Sequence, residues 1–246
     1  MHVFATLLAA ATLVPQQATS TPFGRLVQRA DPVYCAYPRG RNFALTFDDG
    51  PGPYTVALAR VLRRNHARAT FFVIGSRVDL FPEGARAAAR VGVLENHTWS
   101  HAHLRGLSLG DARRELVETQ AAVGRSVGAA PRLFRPPYAE ADPEHELLAR
   151  SLNLLDVRWS VDSGDSTPGA TPKAVFRTVR AGLRPGAIVL LHDLHPWTPA
   201  IVRRILRVAH RRGLRAVTVP DLLRRQPPSL AQLGSEGAGR CPPPPR

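Results

Sequence analysis

The sequence predicts an α/β protein in which about seven parallel strands close into a barrel within a single catalytic domain. Two observations carry that expectation. Between residues 42 and 224, short apolar runs alternate with amphipathic stretches at regular spacing. The runs are apolar on both faces, as strands covered on two sides must be. The chain has 246 residues, of which 44% are apolar, enough for one large core.

The strand candidates, in order, are "NFALTF" (42–47), "ATFFVI" (69–74), "VGVLEN" (91–96), "PRLF" (131–134), "LNLLDVRW" (152–159), "AIVLL" (187–191) and "RAVTV" (215–219). A helix is expected over 53–65. Ser108 followed by Asp111 resembles a capping box, and Ala112, Leu116, Val123 and Val127 then share one helical face. Thr171-Pro172 reads as an N-cap with proline at the first helical position. Ile201, Ile205 and Val208 form a further stripe that ends near Gly213.

Outside this core, residues 1–20 read as a signal peptide. An apolar run at 3–14 is too short to span a bilayer, and small residues near Ala18 and Ser20 suit cleavage, although His2 is the only basic group before the run. Residues 21–40 read as a lead-in and 225–246 as a Pro/Gly-rich tail, extended or disordered. Cys35 and Cys241 bracket the body. In an exported chain they could clip the ends together, contributing up to about 5 kcal/mol in the entropic picture; the alternative is two unrelated thiols.

The formal charge is +14, nearly all from arginine, with Lys173 the only lysine. Such a balance reads either as a solvated surface or as attraction to a polyanion. Basic residues are not interleaved with aromatics, so no nucleic-acid footprint is present. No other segment reaches membrane-spanning length.

Polar clusters fall at the ends of the predicted strands. Asp48 and Asp49 close the first, "NHTWSHAH" (96–103) the third, "RPPY" (135–138) the fourth, "VDSGD" (161–165) the fifth and "LLHD" (190–193) the sixth. In a parallel barrel these ends share one rim, where active sites of such folds sit. His97 and His101, four apart on a helical turn, would face one side and suit a shared zinc ion; a carboxylate from a neighbouring strand would complete an open hydrolytic site. His103 is expected to point away or line the rim. One aspartate of the "DDGP" pair would bind the cation. The other, braced by Arg135, would act as base, while an Asx-turn role could coexist. His192 is the natural general acid on this rim, with Asp165 in reach to orient it and raise its pKa.

The clusters "TFDDGP" (46–51), "HTWSH" (97–101), "RPPY", "VDSGD" and "LLH" (190–192), in this order, resemble the polysaccharide deacetylases of the NodB-homology type, carbohydrate esterase family 4. The similarity spans residues 41–224. The resemblance implies a distorted (β/α) barrel that removes N- or O-acetyl groups from a polysaccharide with a divalent metal, Zn²⁺ foremost. It implies Asp48 as base, Asp49, His97 and His101 as metal ligands, and Arg135 as the residue that positions the base. His192 matches the acid and Asp165 its partner. The Tyr138 N–H would help hold the oxyanion, and Leu190 would line the acetyl-methyl pocket. Two departures stand out. Ser166 occupies a position where the family usually has tryptophan, a wall that Trp197 or Trp159 could supply instead. Glu95 stands where a small residue is more usual.

The resemblance leaves the glycan open among peptidoglycan, chitin or chito-oligosaccharides and acetylxylan. The basic charge of an exported chain tilts toward envelope glycan and toward contact with anionic cell-wall polymers. Two competing readings are weaker. An aspartyl phosphotransferase wants its aspartates separated by one residue and leaves the histidines unexplained. A non-catalytic glycan-binding barrel would lack the base or the acid, and both are present.

Overall fold

A computed structural model describes residues 22–29, 31–233 and 241. The expected signal peptide, and the tail apart from residues 225–233 and Cys241, lie outside the described residues.

Helix α1 (Pro22–Arg29) precedes β1 (Asn42–Gly50), α2 (Thr55–Arg64) and β2 (Ala69–Val73). Then come α3 (Gly75–Leu80), α4 (Pro82–Val91), β3 (Gly92–Asn96), the long α5 (Leu109–Val127) and β4 (Leu133–Phe134). The chain continues through α6 (Pro143–Ser151), β5 (Leu155–Asp156), β6 (Val161–Asp162), α7 (Pro172–Gly182) and β7 (Ile188–His192). It ends in α8 (Thr198–Arg211), β8 (Arg215–Val217) and α9 (Val219–Arg225). The expected caps form: Ser108 Oγ accepts the Asp111 N–H, and Thr171 Oγ1 accepts the Ala174 N–H.

Every strand pair is parallel. Seven strands run in the order β5-β4-β3-β2-β1-β7-β6, and β8 pairs with the first residues of β1. The two ends of this path, β5 and β6, are separated in sequence only by residues 157–160, so the sheet curls into an open barrel. The predicted fifth run therefore yields two short strands on opposite edges. Lead-in residue Val33 fills the edge beside β5: its N–H donates to Asp156 O and its carbonyl accepts the Arg158 N–H.

Burial follows the strand period. Phe43, Leu45 and Phe47 of β1 pack with Leu58, Ala85, Ile201 and Val202 in the layer between sheet and helices. Ala44 packs with Phe72, Leu133 and Ile188 inside the barrel. Strands loaded on both faces explain the unbroken apolar runs.

One expectation changes here. Residues 226–233 are not a loose tail: Leu233 is buried and bridges Val33, and Gln226 O accepts the Tyr37 N–H. Cys35 and Cys241 form a disulfide across 206 residues, tying this end to the lead-in. Glu95, without an evident role in the sequence, is buried and accepts the N–H groups of Arg132 and Leu133 where β4 begins.

Burial pushes the Glu95 carboxyl up to about 7 against those two hydrogen bonds. The folded state then keeps a proton that the unfolded chain releases near pH 4.5, so stability falls as pH rises from there to about 7. The full effect is about 3 kcal/mol. Glu95→Gln is expected to flatten that slope in urea unfolding at pH 5 and pH 7.5.

Candidate active site

On β1, Ala44, Thr46 and Asp48 alternate toward the barrel interior, so a regular strand would turn Asp49 into the helix layer. It does not. The register pairs Asp48 with Phe72 and Gly50 with Val73, skipping Asp49, whose φ is +67°. This bulge swings the second carboxylate back to the rim beside the first. Asp193, just after β7, packs against the turn that follows. A Cβ on Gly50 would lie 2.5 Å from Asp193 Oδ1, so only glycine admits the contact. Thr55 donates its hydroxyl to Asp193 Oδ2 and accepts the Gly52 N–H at 2.7 Å. Burial pushes the Asp193 carboxyl up to about 6.

His97 and His101 face Asp49, but not from a helix. Residues 97–101 form a loop in which Thr98 and His101 take φ of +64° and +63°. Glu115 of α5 pins it, accepting the Trp99 and Ser100 N–H groups at 2.8 Å each and the Ser100 hydroxyl. Asn96 secures its start by accepting the Thr98 N–H and donating to Leu116 O. Asp49 Oδ1 lies 3.3 Å from His97 Nε2 and 3.1 Å from His101 Nε2. Both distances suit an ion pair, yet this buried oxygen receives no aligned hydrogen bond. His97 Nδ1 sits 2.6 Å from the Arg135 carbonyl, which only accepts. The ring proton is therefore committed there, and a neutral His97 turns a lone pair toward Asp49. A carboxylate oxygen and two imidazole nitrogens facing one point suit a cation. Burial alone would raise the Asp49 carboxyl, but the imidazoles of His101, His97 and His192 around it, when they carry protons, outweigh burial and hold the group well below the usual range.

Beside this cluster, Arg135 is fully buried under the rim. It donates from Nη1 to Asp48 Oδ1 at 2.7 Å and to Thr46 Oγ1 at 2.8 Å, from Nε to Val157 O, and from Nη2 to Arg158 O. Its guanidinium lies 4.0 Å above the Phe72 ring. Asp48 Oδ2 is left facing His97 Nε2 at 4.0 Å. Across the rim, the Asp165 carboxylate holds His192 twice, at 2.7 Å from Nδ1 and 2.7 Å from the backbone N–H. Burial works against charge on His192, but Asp165, aided by Asp48 and Asp49, outweighs it and raises the imidazole to about 9. Its Nε2 points across the cluster, 3.9 Å from Asp49 Oδ2.

The family model described as polysaccharide deacetylase matches residues 36–157. A peptidoglycan-N-acetylglucosamine deacetylase of Bacillus cereus is 31% identical over 189 residues, covering 73% of this chain and 67% of that protein. The chain belongs to the polysaccharide deacetylase family. Chitin deacetylase 2 of Cryptococcus neoformans is 34% identical over 177 residues, and the match covers 67% of this chain but only 39% of that protein. The solved Bc1960 peptidoglycan N-acetylglucosamine deacetylase superposes with a TM-score of 0.74 at 28% identity, covering 82% of this chain and 96% of that one.

In this member of the family, Asp48, Asp49, His97, His101, Arg135, Asp165 and His192 all meet on the rim. Leu190 lies two residues before His192 on the same strand face and is buried. Tyr138, at φ +58°, brings its hydroxyl to 3.1 Å from His101 Nδ1. His103 lines the rim as expected, stacked 3.8 Å from the Tyr138 ring and paired with Glu140. Trp159 reaches the site only through Arg135, 5.5 Å from its guanidinium. Trp197 stacks on His195 at 4.3 Å, and His195 Nε2 donates to the Asp165 carbonyl at 3.0 Å. That places the aromatic pair next to Ser166.

Sequence reasoning missed Glu115, Asn96 and Asp193, which hold the loops rather than the reacting groups. It also missed Arg158, which clasps Asp156 and donates to the Ala139 carbonyl behind Tyr138.

Proposed function

We propose that this chain hydrolyses N-acetyl groups from N-acetylglucosamine residues of a polysaccharide, peptidoglycan foremost and chitin or chito-oligosaccharide next. The observation that carries the reading is the convergence of Asp49, His97 and His101 on one point, between an Arg-braced Asp48 and an Asp-held His192. These three residues would hold a divalent ion, for which zinc has the matching nitrogen and oxygen donor set. When bound, the ion supplies Lewis acidity, polarising the acetyl carbonyl and easing ionisation of the attacking water.

The chain's own groups do the rest. Asp48, its Oδ1 committed to Arg135, takes the water's proton on Oδ2 as the acetyl carbon is attacked. The Tyr138 N–H donates to the carbonyl oxygen as charge develops there, an interaction worth about 3 kcal/mol per donor. His192, held protonated by Asp165, passes a proton to the departing amine. Leu190 walls the acetyl-methyl pocket, and the Trp197–His195 stack, or Trp159, supplies the surface left open by Ser166. Neither cysteine is available as a nucleophile, since the two are joined in a disulfide.

A paired base and acid argue against a barrel that only binds glycan. The names of the relatives favour wall glycans, so we place the chain outside the cytoplasm, in the envelope or secreted. No helix among the described residues is long and apolar enough to cross a membrane. Acetate release measured side by side on peptidoglycan, chitin oligomers and acetylxylan tests the substrate. Release is expected from the first two and from neither after chelation. Release from acetylxylan alone would assign the chain to ester hydrolysis.

A further inference from the structure

Between Ser166 and Pro220 the only acidic residue is Asp193, and it is buried. This stretch builds α7, β7, α8 and β8, and its arginines gather on the outer face of the two helices. A groove of about 490 Å³ is lined by Arg180, Arg204, Arg207, Arg211 and Arg212 around Phe176. A second cavity of about 750 Å³ shares Arg207 and Arg211 and continues past His210 to Arg68 and Arg215. Together they form one basic track across the second half of α8. It lies where β2 and β8 begin, at the barrel end opposite the catalytic rim.

Two features separate this track from an ordinary solvated face. Among the described residues none of its arginines takes part in an ion pair. Arg203, Arg204, Arg207 and Arg211 are like-charged neighbours at i,i+3 and i,i+4, an arrangement that opposes the helix unless an anion lies between them. The track is also partly preformed. The Arg204 guanidinium lies 4.1 Å above the Phe176 ring, and Arg212 Nη1 donates to the Arg180 carbonyl at 2.9 Å. Fixed guanidinium forks match phosphate oxygens better than mobile ammonium groups do.

We propose that this track binds a linear polyol-phosphate chain, holding the protein on an anionic wall polymer while the rim stays open to glycan. The wall setting rests on the proposed function. The choice of polyol over nucleotide rests on the track itself, which is lined by no tyrosine or tryptophan and whose one phenylalanine, Phe176, lies under Arg204 and offers no platform for bases. Repeated phosphodiesters engaged at successive arginines release counterions, so binding must weaken steeply with salt.

The test uses the full chain and poly(glycerol phosphate), with affinity measured from 50 to 300 mM salt. One variant carries Arg180→Gln, Arg207→Gln and Arg211→Gln, exposed residues whose side chains make no bond on which the fold depends. A control loses the same charge between α2 and α4 through Arg60→Gln, Arg63→Gln and Arg90→Gln. The track variant is expected to bind roughly tenfold more weakly at 100 mM salt, with a log–log salt slope shallower by about 2. The control should stay within about threefold of wild type, and both variants should keep acetate release from a short soluble oligosaccharide. Equal weakening in the two variants would reduce the effect to net charge and overturn the proposal. Tighter binding of a single-stranded oligonucleotide of equal charge would overturn the polymer class. Because the readout is binding, its failure is distinct from failure of the catalytic reading.

Discussion

Asp48→Asn is expected to keep one metal per chain and to lose acetate release by about 10²- to 10⁴-fold, the usual worth of a general base. Asparagine preserves the shape and can still accept from Arg135, but it cannot take a proton from water. The substitution has a second effect that must be separated from the first. Arg135 is wholly buried and Asp48 is its paired carboxylate, so losing that charge costs about 3–5 kcal/mol. The other acceptors of Arg135, Thr46 and the Val157 and Arg158 carbonyls, should keep the variant folded below its lowered melting point. Assays belong in that range. Substantial turnover by a folded, metal-loaded variant would remove Asp48 from the role of base.

Asp165→Asn is expected to shift the alkaline limb of the pH–rate profile downward by roughly two units, with a fall in kcat at neutral pH. Asp165 is the main group holding the half-buried His192 at about 9, against a burial effect that lowers it. Without that carboxylate the imidazole loses its proton at lower pH, and only the protonated ring can serve the leaving amine. The sign carries over to stability. A raised histidine stabilises the fold fully below its ordinary pKa, and that contribution fades as pH rises through about 9. An alkaline limb that stays in place would show that His192 is not the acid.

How much of this was legible in the chain differs from residue to residue. The strand runs and the polar cluster at each strand end were readable because two-sided burial leaves unbroken apolar stretches and because parallel strands share one rim. The facing of Asp48 and Asp49 was not. It depends on a bulge at Asp49 and on a buried carboxylate, Asp193, packed against Gly50 from just past β7, 143 residues further along the chain, a contact with no local signature. The histidine pair was found by spacing, yet the helical turn invoked for it does not exist; left-handed residues Thr98 and His101 and the Glu115 clamp do that work. Short strands such as β6, two residues long, carry too little pattern to be seen. The order of residues 226–233 comes from packing of Leu233 against Val33 and a disulfide to the lead-in, both long-range.

The most direct measurement is a zinc titration of chelator-stripped protein, following acetate release and bound metal together. Both signals should rise to a plateau at one zinc per chain, and an Asp49→Ala chain should reach neither. Full activity in metal-free protein, or unchanged zinc binding after Asp49→Ala, would contradict a cation shared by that carboxylate and the two imidazoles.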